Sequence, residues 1–191
     1  MKELAWTEAM PRLLTERLLL RPFAPADGPL LEKLLGDRTV VDTTLTVPHP
    51  YPVGGGAEWI ARHAAAWELG ESLSLAICPR EMPDILIGGM GLRISALHRH
   101  GEIGYWIAAD HWGNGYATEA GRVFIDYAFS ELGLHRIMGQ HFSRNPASGR
   151  VMSNLGMKLE GIHRDGFVRW GKFEDSVVYA VLAPEWNQGI K

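Results

Sequence analysis

The residues best placed to do chemistry in this chain fall in one run, Gly101 to Ala120, which reads GEIGYWIAADHWGNGYATEA. Ile103, Tyr105 and Ile107 alternate with their neighbours as a strand does, Trp112-Gly113-Asn114-Gly115 breaks that alternation, and from Tyr116 the spacing is helical. A helix that opens directly behind a Gly-x-Gly turn points its first unpaired N–H groups outward, at the positive end of the helix dipole. Glycines at that turn let an anionic group reach the main chain without meeting a Cβ. The chemistry on offer is the cradling of a diphosphate. A dinucleotide-binding fold also shows such a turn, but it wants an acidic residue roughly 20 positions on. Here the next strand ends in His141-Phe142-Ser143-Arg144-Asn145, with no carboxylate, and no Gly-Lys-Ser/Thr of a P-loop occurs.

Other reactive residue types point to less. His98 and His100 have no partner at metal-ligand spacing, and none of the eight histidines forms a His-x-x-x-His pair with Glu, so no metal is expected. Cys78 is the single cysteine; it cannot close an internal disulfide, which favours a reducing compartment, and it reads as a structural strand cysteine rather than a nucleophile. A formal net charge of −3 leaves no electrostatic footprint for nucleic acid or an anionic membrane. No apolar run approaches the roughly 18 residues of a membrane span, and MKELAWTEAM carries glutamates where a signal peptide is apolar. A cytoplasmic protein is expected. At 191 residues the chain reads as one domain, Arg12 to Trp186, with an arm over 1–11 and a tail over 187–191.

The elements that must position the glycine turn follow from periodicity and punctuation. Leu18 to Arg21 is a strand stopped by Pro22, Ala24 to Leu35 a helix closed by Gly36, and Val47 to Gly56 a proline- and glycine-rich loop. Ala57 to Leu69 reads as a second helix, and Leu73 to Ile77 with Ile85 to Leu92 as an antiparallel pair. Behind the turn, Ala120, Val123, Phe124, Tyr127 and Ala128 fill one helical face, which Gly133 closes. Arg136 to Phe142 is a strand, Ala147 to about Leu155 a helix after Asn145-Pro146, and Lys158 to Val168 and Ser176 to Leu182 are final strands. The order is that of an α+β fold, mostly antiparallel, with one crossover through the helix behind the turn.

A wider pattern carries a resemblance. GYWIAADHWGNGYATEA, followed about 25 residues later by NPASGRVMSNLGM, resembles the GCN5-related N-acetyltransferases (GNAT), in the RimJ/RimL-like branch. Trp112, Gly115 and Ala117 fall in the frame of that family's diphosphate signature, while Asn154 and Met157 depart from the branch's commoner Lys and Phe. TERLLLRPF near the start and Asp175, Tyr179 and Pro184-Glu185-Trp186 near the end extend the similarity over about Leu14 to Trp186. The resemblance implies the GNAT fold: about four helices and a mixed central sheet of about seven strands, splayed at the middle, with acetyl-CoA as co-substrate in the gap. It implies that pantetheine amides pair with main chain around Trp106, Ile107 and Ala108. The diphosphate would then sit on the N–H groups of Gly113, Asn114, Gly115, Tyr116, Ala117 and Thr118. Asn145, by local sequence a turn residue before proline, would bond the pantetheine arm.

The implied reaction moves an acetyl group to a primary amine. An α-amine of pKa near 7.8 costs about 1 kcal/mol to deprotonate at pH 7, against about 4.6 kcal/mol for a lysine. A protein N-terminus thus needs only a modest base. Glu102, near the start of the strand that faces the thioester, is the candidate base, its alternative being a solvated strand-end glutamate. Ser148 is the candidate acid for the sulfur, its alternative a first-turn serine bonded to its own backbone. The acceptor groove of this family places its walls at Val47 to Gly56 and Val168 to Lys172, making Trp170 a candidate acceptor contact, or, with Trp6, Trp59, Trp67 and Trp186, a core or homodimer residue. Small amines (polyamine, aminoglycoside, amino acid) remain alternative acceptors, and a silent acyl-CoA sensor is the alternative outside enzymes.

Overall fold

The structure, a computed structural model, describes residues 9–189. Trp6, most of the expected arm and the end of the expected tail lie outside the described residues. One eight-stranded sheet runs through the molecule in the order β1-β2-β3-β4-β5-β6-β8-β7. Its strands are β1 (Leu13–Leu14), β2 (Leu18–Pro22), β3 (Ser72–Pro79), β4 (Gly88–Ser95), β5 (His100–Ile107), β6 (Arg136–Phe142), β7 (Lys158–Arg169) and β8 (Lys172–Leu182). Every neighbouring pair is antiparallel except β5 and β6, which are parallel because helix α5 (Tyr116–Ser130) carries the chain back between them.

Apolar layers cover both faces of this sheet. Under α5 lie Ala120, Phe124, Ile125 and Ala128, packed with Leu75, Ile103, Leu134 and Ile137. On the other face α1 (Gly28–Leu35), α2 (Arg38–Val41) and α3 (Gly55–Ala61) pack Leu31, Leu35, Val40, Val41 and Ile60 on Phe23, Ala76 and Cys78. Burial from both sides explains the unbroken apolar runs of β2 and β3, which alternation alone does not account for.

The expected α+β architecture and the parallel crossover are present. The helix expected over 57–69 is two pieces, α3 and α4 (His63–Glu68), because the Arg62 N–H turns to the Trp59 carbonyl three residues back at 3.3 Å. The first helix opens with a 3-10 turn over Pro25–Asp27. There the buried Asp27 carboxylate takes the Ala24 N–H at 2.7 Å and both Arg21 guanidinium nitrogens at 2.7 and 2.8 Å. Two short helices carry no strong sequence signal: α2, capped by the Asp37 side chain on the Thr39 N–H, and α7 (Ala183–Gly189). The strand expected from Ile85 begins at Gly88, and β8 begins at Lys172, directly after a two-residue turn at Trp170-Gly171.

The α1–α4 face holds a buried histidine. His63 is packed edge-on against Trp59 at 4.1 Å and Phe23 at 5.5 Å, and neither ring nitrogen has a partner. Burial, with Arg62 adding to it, pushes its pKa down to about 4 from 6.5. The folded state therefore holds it neutral where the unfolded chain takes up a proton, so stability falls as pH drops from about 6.5 towards 4. The loss amounts to about 3 kcal/mol once both limits are passed. His63→Phe should flatten that acid limb, measured as the midpoint of urea unfolding between pH 7 and pH 4.

Candidate active site

The glycine turn has the geometry its sequence promised. Gly113 and Gly115 sit at φ +78° and +77°, a conformation that side chains resist, and a Cβ at Gly113 would meet nothing within 4 Å. Gly115 is the N-cap of α5 and supplies no side-chain cap, so the N–H groups of Tyr116, Ala117 and Thr118 face outward. The Asn114 amide braces the turn by donating to the His111 and Trp112 carbonyls, each at 3.2 Å. Sequence reasoning missed the group that anchors the turn. Arg17 donates to the Asn114 carbonyl at 3.1 Å and to Glu119 at 2.6 Å, with its guanidinium 4.8 Å from the centre of the Tyr116 ring. Glu119 also takes the Thr15 hydroxyl at 2.5 Å and the Arg17 N–H at 3.0 Å. Burial raises the pKa of this carboxyl, but these bonds and the Arg17 charge outweigh burial and hold it below its ordinary value.

Ahead of the turn the sheet splits. β5 pairs with β6 only from His100↔Arg136 to Glu102↔Met138, then runs on beside β4 alone through Ile107. Of the main chain expected to meet a pantetheine arm, Ala108 has both its polar groups bonded within the protein. Its N–H donates to the Ile87 carbonyl at 2.9 Å and its own carbonyl accepts from the His111 N–H at 2.9 Å. The ladder alternation that commits Ala108 to the β4 side commits Trp106 as well, leaving Tyr105 and Ile107 to face the gap. The Ile107 carbonyl accepts the Trp112 indole N–H at 2.7 Å, which fixes the tryptophan beside the gap.

Helix α6 (Pro146–Asn154) closes the far side of the gap. Asn145 is its N-cap, the Oδ1 atom accepting the Ser148 N–H at 3.4 Å, and no bond occupies its amide nitrogen. The hydroxyl of Ser148 is not turned back on its own helix: it lies 2.7 Å from the Tyr105 hydroxyl, which also donates to the Ser148 carbonyl at 3.1 Å. Tyr105 was noted in the sequence only as a strand residue. Burial pushes its pKa up to about 12, against the opposing pull of the Ser148 bond, so it keeps its proton as a donor.

The α1–α4 face of the gap is polar. Glu102 accepts from the Gln140 amide at 2.9 Å, Gln140 in turn accepts from the buried Ser176 hydroxyl at 2.9 Å, and Arg93 stands 3.6 Å from the other Glu102 oxygen. A cavity of about 740 Å³ opens here, bounded by Val47, Tyr51, Glu58, Trp59 and Arg62 and reaching Glu102, Tyr105 and Ser148. Of the two segments expected to wall an acceptor groove, Val47 to Gly56 lines this cavity and Val168 to Lys172 does not. Trp170 is not on the cavity surface. Its indole donates to Asp42 at 2.7 Å and lies under the Arg169 guanidinium at 4.0 Å, behind the wall rather than in it. Trp67 and Trp186 are core residues. Burial raises the Cys78 pKa to about 11, which removes it as a nucleophile at neutral pH.

Comparison with known proteins agrees with this geometry. A family model described as an acetyltransferase (GNAT) domain matches residues 17–158. The N-acetyltransferase YoaA of Bacillus subtilis (strain 168), described as uncharacterized, is 30% identical over 91% of this chain and 98% of its own length. The putative ribosomal N-acetyltransferase YdaF of the same organism is 40% identical over 49% of this chain and 51% of its own. A crystal structure of a probable acetyltransferase superposes with a TM-score of 0.85 at 28% identity, covering 93% of this chain and all of the other. Mycobacterium smegmatis RimJ in complex with CoA-disulfide shares the fold, with a TM-score of 0.82 at 21% identity over 96% of this chain and 91% of its own. A match of this length, on a sheet parted in this way, places the chain in the GNAT family of acetyltransferase enzymes.

Proposed function

We propose that this acetyltransferase binds acetyl-CoA through the Gly113–Thr118 turn and the parted edge of β5, and delivers the acetyl group to a protein N-terminal α-amine. The observation that carries the reading is the gap itself. An anion cradle lies at its mouth, a hydroxyl pair, Tyr105–Ser148, stands on one face, and a held carboxylate, Glu102, stands on the other. Acetyl-CoA supplies an activated thioester. The fit rests on the unoccupied first-turn N–H groups of α5, the unbonded Asn145 amide nitrogen and the β5 main chain facing the gap. Glu102, aimed by Gln140, takes the proton of the attacking amine through water. Ser148 gives its proton to the departing sulfur, and the Tyr105 hydroxyl 2.7 Å away turns its own proton from the Ser148 carbonyl to the Ser148 oxygen as that charge develops. An α-amine is the acceptor best matched to one carboxylate, because its deprotonation costs so much less than that of a lysine. The putative ribosomal N-acetyltransferase relative supports a protein acceptor.

The test is a panel of peptides, polyamines, aminoglycosides and amino acids incubated with protein and acetyl-CoA and read by mass spectrometry. Gain of one acetyl group at the peptide α-amine is the expected outcome; labelling confined to small amines would overturn the protein-acceptor reading.

Cofactor and catalytic roles separate by mutation. Gly115→Glu should abolish acetyl-CoA binding in calorimetry, since it strains a φ of +77° and sets a carboxylate against the diphosphate. Ser148→Ala should lower kcat by about 100-fold or more with acetyl-CoA affinity within about twofold. Tyr105→Phe should cost less, and the double variant little more than Ser148→Ala, because the two hydroxyls act as one unit. Full kcat in Ser148→Ala would remove Ser148 from the reaction.

A further inference from the structure

The floor of the cavity is shaped by an absence of side chains. Residues opposed in an antiparallel ladder point to the same face, and on the α1–α4 face three transverse rows cross β3, β4 and β5. The first is Ser72↔Arg93↔Glu102, the second Ser74↔Gly91↔Gly104, the third Ala76↔Gly89↔Trp106. The middle row holds only a serine and two glycines. Its neighbours stand above it: Arg93 and Glu102 on one side, and on the other the Trp106 indole, folded so closely over Gly89 that a Cβ there would lie 2.8 Å from its nitrogen. The result is a trough running across the strands.

None of the described residues fills it. A Cβ on Gly104 would meet no atom within 4 Å, and one on Gly91 would make ordinary contacts with the Ser74 hydroxyl at 3.6 Å and the Leu73 carbonyl at 3.7 Å. Neither glycine has a positive φ, so no backbone conformation demands glycine at either position. A glycine in a central strand weakens it, and two opposed glycines weaken it twice. Packing gives no reason for them. The trough ends at Gly104, on the strand edge that lacks a β6 partner, with Gln140 and Glu102 at its mouth.

We infer that this trough is the bed of the acceptor chain, with Gly91 and Gly104 as specificity-determining residues that admit a slender, extended, amine-ended chain and exclude a branched one. The inference rests on the acetyl-transfer reading above and adds the shape of the acceptor. Two strand spacings give a bed of about 10 Å, the length of about three residues of extended peptide. The chain lies with its amine over Gly104 beside Glu102, and its remaining residues over Gly91 and Ser74 under the roof of Tyr51 and Trp59. A peptide N-terminus fits this bed; an unbranched diamine shares its slender form, whereas an aminoglycoside is too broad.

Gly104→Val and Gly91→Val test the inference, with Gly161→Val as control. Gly161 lies on β7, away from the cavity, and a Cβ there also meets nothing within 4 Å. The two trough variants should keep or raise the thermal midpoint, because valine favours strands, and should keep acetyl-CoA affinity within twofold. Their KM for a tripeptide acceptor should rise tenfold or more. Gly161→Val should leave every reading as in the wild type. Unchanged tripeptide KM in both trough variants would overturn the inference, as would an equal loss of acetyl-CoA affinity, which would assign the floor to the cofactor. A wild-type protein that acetylates diamines but not peptides, with Gly104→Val blocking the diamine, keeps the trough and overturns the peptide acceptor. Efficient acetylation of an aminoglycoside by the wild type overturns the trough while leaving amine acetylation intact, and binding of acetyl-CoA with no acceptor labelled overturns both.

Discussion

Everything at this site depends on two strands that begin as neighbours and then part. β5 follows β4 along its whole length, and β6 follows β8 from Arg136 to Phe142, so past Glu102 each obeys its other partner. A row of unpaired main-chain groups is ordinarily a liability at a sheet edge. Inside a sheet it is a site that accepts one more chain-like partner through main-chain bonds. The gap is bridged rather than free: Gln140 to Glu102 spans it on one face, and Tyr105 to Ser148 spans it on the other. The residues that hold the strands at a fixed separation are thus the same ones proposed to move protons. Preorganisation of this kind lets a site act without large rearrangement when its substrates arrive.

The same economy governs charge at the mouth. Glu119 sits in the first turn of α5, where its carboxylate complements the helix dipole but would repel a bound diphosphate. Thr15 and Arg17 draw that carboxylate into three hydrogen bonds, and the guanidinium neutralises it while bracing Asn114. The turn between β1 and β2 therefore does more than join two strands. It braces the glycine turn from about a hundred residues away in sequence.

How much of this was legible depended on whether a feature is local. The glycine turn, the helix behind it, the β6 strand over Arg136–Phe142 and the turn at Asn145-Pro146 that opens a helix follow from residues a few positions apart, and all are present. Arg17, Tyr105 and Gln140 were not singled out, because each acquires meaning only from a partner brought in by the fold: Glu119, Ser148 and Glu102. The engagement of Ala108 on both its polar groups was hidden for the same reason, since Ile87 and the turn at His111 are tertiary or loop partners. The family frame conveyed the splay; local pattern could not have, as periodicity does not record where pairing stops.

Trp170 shows how a residue can support a cavity wall without lining the cavity. It occupies a two-residue hairpin turn at φ +53°, where a bulky side chain is strained and Asn or Gly is the ordinary choice. Such strain persists only where surrounding contacts over-determine it. Here the indole bonds Asp42, and the adjacent Arg169 is buried with its guanidinium donating to the carbonyls of Val41, Leu45 and Val47 at 2.8, 3.2 and 2.8 Å. The Leu45 and Val47 carbonyls belong to the segment that walls the cavity from Thr43 to Val47, and the Val41 carbonyl to the end of α2 just before it. Asp42 reaches further still, to Arg144, one residue before the Asn145 cap of α6. Single exposed ion pairs contribute little to stability, yet here they join the cavity wall, the hairpin and the start of α6 into one body. A loop of prolines and threonines with no regular structure of its own acquires a fixed shape from that hairpin, and this is what allows an irregular segment to form one side of a defined cavity.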